Sequence, residues 1–89
     1  MIDIEVTGTQ VALDYFERIV HQLQTLFRIT RDEAAGRLNR FWEGQDFSGE
    51  MDVNLLRHES PTYWAKTIYY GPEARWWKGE DGLQPQPYP

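Results

Sequence analysis

The sequence predicts a mostly α fold: a small three- to four-helix domain with an extended N-terminal arm and a proline-rich C-terminal tail. Apolar residues recur at spacings of three and four over residues 10–28, and capping residues precede two later segments. A chain of 89 residues has room for one small domain. We therefore divide it into an arm over 1–8, a helical core over 9–71 and a tail over 72–89.

The first helix is predicted over residues 10–28, with Thr9 as its N-cap. Its apolar residues, among them Phe16 and Leu23, fall on one stripe. Ahead of this helix, residues 2–6 alternate between apolar and acidic side chains, which is typical of a short strand. A strand needs a partner, and no second clear strand follows in the sequence. An extended arm is therefore the alternative interpretation.

A second helix is predicted over residues 31–43, because Thr30 and Glu33 have the spacing of a capping box. Gly44 follows the last periodic position and is expected to end the helix. Gly36 lies inside this helix, where glycine costs about 1 kcal/mol relative to alanine. Its presence there indicates a close helix–helix contact.

The second half of the chain begins with residues 44–54, which we interpret as an acidic connector containing two glycines. A short apolar element is expected to begin at Leu55, with Asp52 as a candidate cap. Ser60 stands before a proline, and this pair predicts an N-cap followed by a helix over 61–70. The Gly-Pro pair that follows stops this helix.

The last eight residues, GLQPQPYP, carry three prolines and are expected to be extended, without a core of their own. We expect Tyr88 and its neighbouring prolines to stack on an exposed tryptophan. The sequence PQPYP has the polyproline character of ligands for SH3- or WW-like grooves, although short proline-rich chain ends are more often disordered.

The composition is acidic and contains no cysteine, with a net charge of −5 and a pI of about 4.9. Without cysteine there are no disulfides, thiolate nucleophiles or cysteine zinc sites, which fits a reducing cytoplasm. The first residues do not have the pattern of a signal peptide, and no apolar run reaches the ~20 residues that cross a bilayer. These observations predict a cytoplasmic protein that has no membrane partner.

The pair His58-Glu59 is the most enzyme-like feature, because a histidine beside a carboxylate can carry out general acid–base chemistry. Adjacent helical residues point in different directions, however, and His58 directly precedes a helix start. Ser60 is better explained as that helix's N-cap than as a nucleophile. His21 stands on the polar side of the first helix, and no His-x-x-x-His spacing predicts a metal site. We therefore predict no enzymatic activity, no catalytic residue, no metal and no cofactor.

Acidic and aromatic residues lead to the main functional hypothesis, a small acidic protein-interaction module. Carboxylates of residues 43–52 would meet a basic partner surface, and exposed aromatics would anchor the contact. We expect Trp76 to act as this anchor and Trp64 to be part of the core, and of Trp76 and Trp77 we expect one to pack inward. A self-complementary aromatic patch would equally permit a homodimer. The predicted partner-binding residues are Glu43, Asp46, Glu50, Asp52, Tyr69, Trp76 and Trp77.

The alternative hypothesis is a helix-turn-helix regulator that binds nucleic acid. Three arginines of the second helix, Arg31, Arg37 and Arg40, would contact phosphates or bases, with Arg37 and Arg40 facing outward. Binding to phosphates usually needs a basic face and a high pI. The acidic pI of this chain therefore disfavours nucleic acid and favours a protein partner, in particular a basic one.

Two segments, ITRDEAAGRLNRFWEGQDF and HESPTYWAKTIYYG, resemble segments of small bacterial proteins without an assigned activity. The resemblance covers roughly Ile29 to Trp77 and includes no catalytic motif. Such proteins look like accessory or immunity-type products encoded beside larger effector genes. The resemblance implies a bacterial cytoplasmic source, leaves the biochemistry open, and transfers no functional residue to this chain.

Overall fold

In the computed structural model, which describes residues 1–89, three helices pack around the first and longest helix, α1 (Gln10–Phe27). The mostly α-helical fold class is therefore confirmed, and a very short two-stranded sheet accompanies the helices. The helices are α1 (Gln10–Phe27), α2 (Arg31–Phe41), α3 (Glu50–His58) and α4 (Pro61–Tyr70), and a single 3-10 turn (Trp76–Lys78) follows them.

Side-chain hydroxyls cap three of the four helices at the positions that the sequence predicts. Each accepts a hydrogen bond from a backbone N–H in the first turn, which would otherwise lack a partner. The Thr9 hydroxyl accepts from the Ala12 N–H (3.2 Å), the Thr30 hydroxyl from the Glu33 N–H (3.1 Å), and the Ser60 hydroxyl from the Tyr63 N–H (3.1 Å). Caps of this kind contribute about 1 kcal/mol each. They explain why the starts of α1, α2 and α4 could be located from sequence.

The core is built on the apolar stripe of α1. Phe16, Ile19, Val20 and Leu23 are all fully buried, and side chains from the other three helices, from the arm (Val6) and from the turn after α2 (Trp42) pack against them. The centre of the Phe16 ring lies 5.5 Å from that of the Trp42 ring, within the range at which aromatic pairs interact. Large aromatic side chains thus supply much of the apolar area that a chain of this length can bury.

α3 begins earlier than the sequence analysis predicted. It starts at Glu50 with Gly49 at the N-cap position, so the acidic connector is shorter than expected and Asp52 is not the cap. Glu50 and Asp52 lie in the first turn instead, where carboxylates stabilise the positive end of the helix dipole. The acidic residues therefore promote the helix start rather than a connector. Within α3, Leu56 is buried and Leu55 is exposed.

The N-terminal arm is docked on the protein rather than free. Its strand is β1 (Thr7–Gly8), which pairs in parallel with β2 (Asp46–Phe47), and the alternating residues 2–6 form no ladder of their own. Val6 is buried in the core. The Asn39 side chain holds the arm by accepting from the Glu5 N–H (2.7 Å) and donating to the Asp3 carbonyl (2.8 Å).

α2 is shorter than predicted and presents different residues to solvent. It ends at Phe41, and Gly44 lies in the following turn with φ of 82°. The expectation that Arg37 faces outward is wrong, because this residue is only 8% exposed. Its Nε donates to the Glu33 carboxylate (2.8 Å), and a buried charge is tolerated only with such partners.

Trp64 packs against the core, whereas Trp77 is exposed, and substitution of each should affect stability differently. The Trp64 indole Nε1 donates to the Leu56 carbonyl (2.8 Å), and its ring lies 5.2 Å from that of Trp42. Trp64→Ala should lower the free energy of unfolding by about 3 kcal/mol, because it leaves a cavity and an unpaired carbonyl. Trp77→Ala, at a 57% exposed position, should change it by less than about 0.5 kcal/mol.

The measurement is urea unfolding followed by far-UV circular dichroism, with the slope of the transition checked for constancy. Equal losses in the two variants would contradict the assignment of Trp64 to the core.

Candidate functional site

The residues predicted to bind a partner divide into an exposed set and an inward-packed set. Glu43, Asp46, Glu50 and Asp52 are exposed, as is Trp77. Tyr69 and Trp76 are only partly exposed, and each packs on other side chains of the chain. The aromatic part of the predicted surface is therefore smaller than the sequence suggested.

Trp76 does not project into solvent as the expected anchor. Its indole Nε1 donates to the Thr67 hydroxyl (3.1 Å), and its ring meets the Tyr63 ring edge-on at 5.5 Å. The Lys66 ammonium lies 5.2 Å from the same ring, within the range of a cation–π contact. Trp76 thus attaches the 3-10 turn to α4, and the exposed tryptophan is Trp77.

Tyr69 is likewise occupied inside the protein. Its ring is stacked on the Phe27 ring at 3.7 Å and 7° between planes, which joins the end of α1 to α4. The Arg37 guanidinium carbon lies 4.9 Å from the centre of the Tyr69 ring. These contacts place Tyr69 in the packing between α1, α2 and α4, so it is a structural residue.

Two of the predicted carboxylates line a cleft between the arm and the end of α2. The cleft has a volume of about 580 Å³, and Glu5, Glu43 and Asp46 all border it. Asp46 also has a local role, because its Oδ1 accepts from the Ser48 N–H (3.0 Å) and hydroxyl (2.6 Å). The other two predicted carboxylates, Glu50 and Asp52, lie in the first turn of α3.

The exposed side of α3 carries an apolar pair that the sequence analysis did not select. Met51 is 79% exposed and Leu55 is 67% exposed. They are four residues apart and therefore lie on the same side of the helix. With Asn54 and His58 they line a shallow hollow of about 350 Å³, and we call these four residues the α3 face.

A sequence signal for the α3 face did exist. Residues 50–58 carry two apolar pairs, Val53 with Leu56 and Met51 with Leu55. A helix of nine residues packs only one side against the core, and here that side holds Val53 and Leu56. The core therefore does not require the second pair, Met51 and Leu55.

The three arginines of the nucleic-acid hypothesis all have partners within the chain. Arg31 makes a bidentate pair with Glu17 (3.0 and 2.9 Å), and this hydrogen bonding raises the pKa of Arg31. Arg37 is buried, as described above, and Arg40 donates to the Pro87 carbonyl (3.0 Å). Arg31 and Arg40 remain exposed while they make these contacts, and Arg37 does not.

The enzyme-like pair stands in open solvent. The His58 Nε2 lies 3.9 Å from a Glu59 carboxylate oxygen, and the His58 side chain is 80% exposed. Ser60 accepts the capping bond of α4, and His21 is exposed on α1. No group of three or more histidine or acidic side chains is arranged to hold a metal ion. Every buried side-chain N or O atom has a hydrogen-bond partner, so none is left aimed at a ligand.

A polar network fastens the segment after α4. The Lys66 ammonium lies 2.7 Å from one Glu80 oxygen, and the Tyr70 hydroxyl donates to the other (3.0 Å). The hydrogen bond from Lys66 lowers the pKa of Glu80 below its usual 4.5. Burial, together with the hydrogen bond to Glu80, raises the pKa of Tyr70 from 10.0 to about 12.

Comparisons with known proteins assign no family to this arrangement: no family model, curated protein or solved structure matches the chain. None of the four helices combines the length and apolar character that crossing a membrane requires.

The Glu80 network predicts a specific dependence of stability on pH. Because the pKa of Glu80 is lowered in the folded state, its contribution is complete above pH 4.5 and is lost as the pH falls through the lower, folded pKa. Tyr70 acts in the opposite direction, since its contribution is complete below pH 10 and is lost as the pH rises toward 12. Glu80→Gln should therefore lower the melting temperature at pH 7, and its difference from wild type should narrow as the pH falls below 4.5.

The measurement is thermal unfolding by circular dichroism at a series of pH values. Asp81→Asn is the matched control, because it removes a neighbouring exposed carboxylate that makes no side-chain hydrogen bond. A Glu80→Gln deficit that stays constant from pH 7 to pH 3 would contradict the assigned role of the carboxylate.

Proposed function

We propose that this chain is a small protein-interaction module that masks a basic surface of a partner protein through the α3 face. The exposure of Met51 and Leu55 carries this proposal. The proposed partner segment presents at least one apolar side chain to the α3 face and lysine or arginine side chains around it. The setting that the resemblance implies, an inhibitor or immunity-type protein of the bacterial cytoplasm, is part of the proposal.

The apolar pair supports a docking role because nothing in the fold covers it. Met51 and Leu55 belong to a helix whose opposite side already supplies Val53 and Leu56 to the core. Burying a side chain of this size is worth about 1.5–3 kcal/mol. A partner that covered both side chains would gain this free energy for each of them, which slows dissociation of the complex.

The surrounding charges support a basic partner rather than an acidic one. Glu50 and Asp52 lie on the same helix, and Glu43 and Asp46 precede it along the chain. All four carboxylates are exposed. Together with the net charge of −5, they favour encounter with a positive surface and oppose encounter with a negative one.

Substitution of Leu55 tests the apolar contact. Tagged wild-type protein is used to isolate a stoichiometric basic partner from cells, and binding is then measured with both purified proteins by calorimetry. Leu55→Ser should weaken binding by about tenfold or more, since each 1.4 kcal/mol of lost burial corresponds to a factor of ten.

Leu26→Ser is the matched control, because Leu26 is an exposed leucine on another helix, α1. Both variants should retain the wild-type unfolding curve. Equal affinity of wild type and Leu55→Ser for the purified partner, or an equal loss in the two variants, would refute docking through the α3 face.

The carboxylates should act mainly on the rate of association. The double substitution Glu50→Gln and Asp52→Asn should slow association with the same purified partner several-fold at low salt, with a smaller effect on dissociation. The difference from wild type should shrink as salt screens the charges. Surface plasmon resonance at two salt concentrations measures both rates.

Glu73→Gln with Asp81→Asn removes the same number of exposed carboxylates from the segment after α4 and serves as the control. Association that is unchanged by the α3 substitutions, or slowed equally by both pairs, would contradict electrostatic steering by α3.

A further inference from the structure

The last six residues lie across α2 and α4 as an extended peptide, and we call residues 84–89 the strap. Its attachment to α4 is specific. The Gln86 N–H donates to the Tyr69 carbonyl (2.7 Å), and the Gln86 side-chain amide donates to the Tyr70 carbonyl (2.9 Å). These carbonyls belong to the last turn of α4, where helix carbonyls have no intrahelical partner. Gln86 therefore acts as an external cap for this helix.

Its attachment to α2 uses two arginines. Arg37 Nη1 donates to the Gln86 carbonyl (2.7 Å), and Arg40 Nη1 donates to the Pro87 carbonyl (3.0 Å). Two consecutive backbone carbonyls of the strap thus receive charge-assisted hydrogen bonds, which are about twice as strong as neutral ones. Contacts to main-chain groups in an extended conformation are the usual basis of peptide recognition.

The strap's one aromatic side chain lies between the same two arginines. The centre of the Tyr88 ring is 5.4 Å from the Arg37 guanidinium carbon and 5.3 Å from that of Arg40. The expected stacking of Tyr88 on a tryptophan is therefore wrong. Cation–π attraction to two guanidinium groups explains the position of the ring instead.

Two glycines allow the strap side chains to approach the helices. A Cβ atom at Gly36 would stand 2.0 Å from the Tyr88 hydroxyl oxygen, and one at Gly71 would stand 2.3 Å from the Gln86 amide nitrogen. This contact accounts for a glycine inside α2, where alanine would favour the helix. The groove is thus shaped for a glutamine and a tyrosine two positions apart.

The strap does not fill this groove and adds little to the core. Residues 84–87 are exposed, and none of residues 84–89 is buried. Beside the strap a hollow of about 300 Å³ remains, with Phe41 and Ile68 among its lining residues. A segment with a larger apolar side chain would therefore find additional contacts that the strap does not make.

We propose that the α2–α4 groove is a recognition site for an extended Gln-Pro-Tyr segment of another protein, and that the strap occupies it as an intramolecular competitor. This site uses different residues from the α3 face and does not depend on the function proposed above. Because the strap is tethered, it competes at an effective concentration of about millimolar. An incoming segment binds when the strap is weakened, or when the incoming segment itself makes extra contacts with Phe41 and Ile68.

The test uses the full chain and a fluorescein-labelled peptide, LQPQPYP, which is the sequence of residues 83–89. Tyr88→Ala weakens the strap and should raise affinity for the peptide by about tenfold over wild type, as measured by fluorescence polarisation. A peptide with alanine in place of its tyrosine should bind at least about tenfold more weakly to this variant. Gln86→Ala, which weakens the strap at a different residue, should give a similar gain for the unaltered peptide.

Gly36→Ala, added to Tyr88→Ala, provides the control at the groove. The added methyl group occupies the position of the peptide's tyrosine hydroxyl, so binding should be lost, while urea unfolding shows that α2 remains stable. Equal peptide binding by wild type and both strap variants would overturn the proposal. So would binding that survives removal of the peptide's tyrosine or the addition of Gly36→Ala. A concentration-dependent dimer that does not bind the peptide would also overturn the proposal, because the groove would then hold the strap of a second copy.

Discussion

The apolar stripe of α1 is the interaction on which the rest of this structure depends. Only 17 of 89 residues are buried, so the core is thin, and four of its largest side chains come from α1. The arm, α2, α3 and α4 all pack against this helix or against side chains that contact it. A small domain needs large side chains to offset the loss of conformational entropy, which explains why aromatic rings meet in pairs throughout the interior.

A buried arginine organises the second half of the structure. Arg37 connects Glu33 on its own helix, the Tyr69 ring on α4 and the Gln86 carbonyl of the strap. Burying a guanidinium group is unfavourable unless its donors are satisfied, so these partners have to be in place together. The sequence predicted that Arg37 lies on an exposed basic face of α2, whereas in the fold it connects α2, α4 and the strap.

Two regions of the protein are not accounted for by the packing of its core. Polar atoms in the interior are satisfied, and the histidine beside a carboxylate stands in solvent. By contrast, α3 exposes Met51 and Leu55, which its own packing does not require, and carries Glu50 and Asp52 in its first turn and Arg57 in its last. The groove under the strap is a second place where the chain makes peptide-like contacts without closing the space around them.

The sequence by itself determined the helices, and the tertiary structure decided which residues remain available to a partner. Periodicity and capping hydroxyls are local properties, so α1, the start of α2 and α4 followed from neighbouring residues. The start of α3 was missed because glycine at its cap gives no side-chain signal. The N-terminal strand was predicted over residues 2–6 and lies at Thr7–Gly8, because its position is set by a partner strand nearly 40 residues away. Arg37, Tyr69 and Trp76 looked like surface residues for a similar reason. Their packing depends on elements that are distant in sequence, and those contacts decide which residues stay available to a partner.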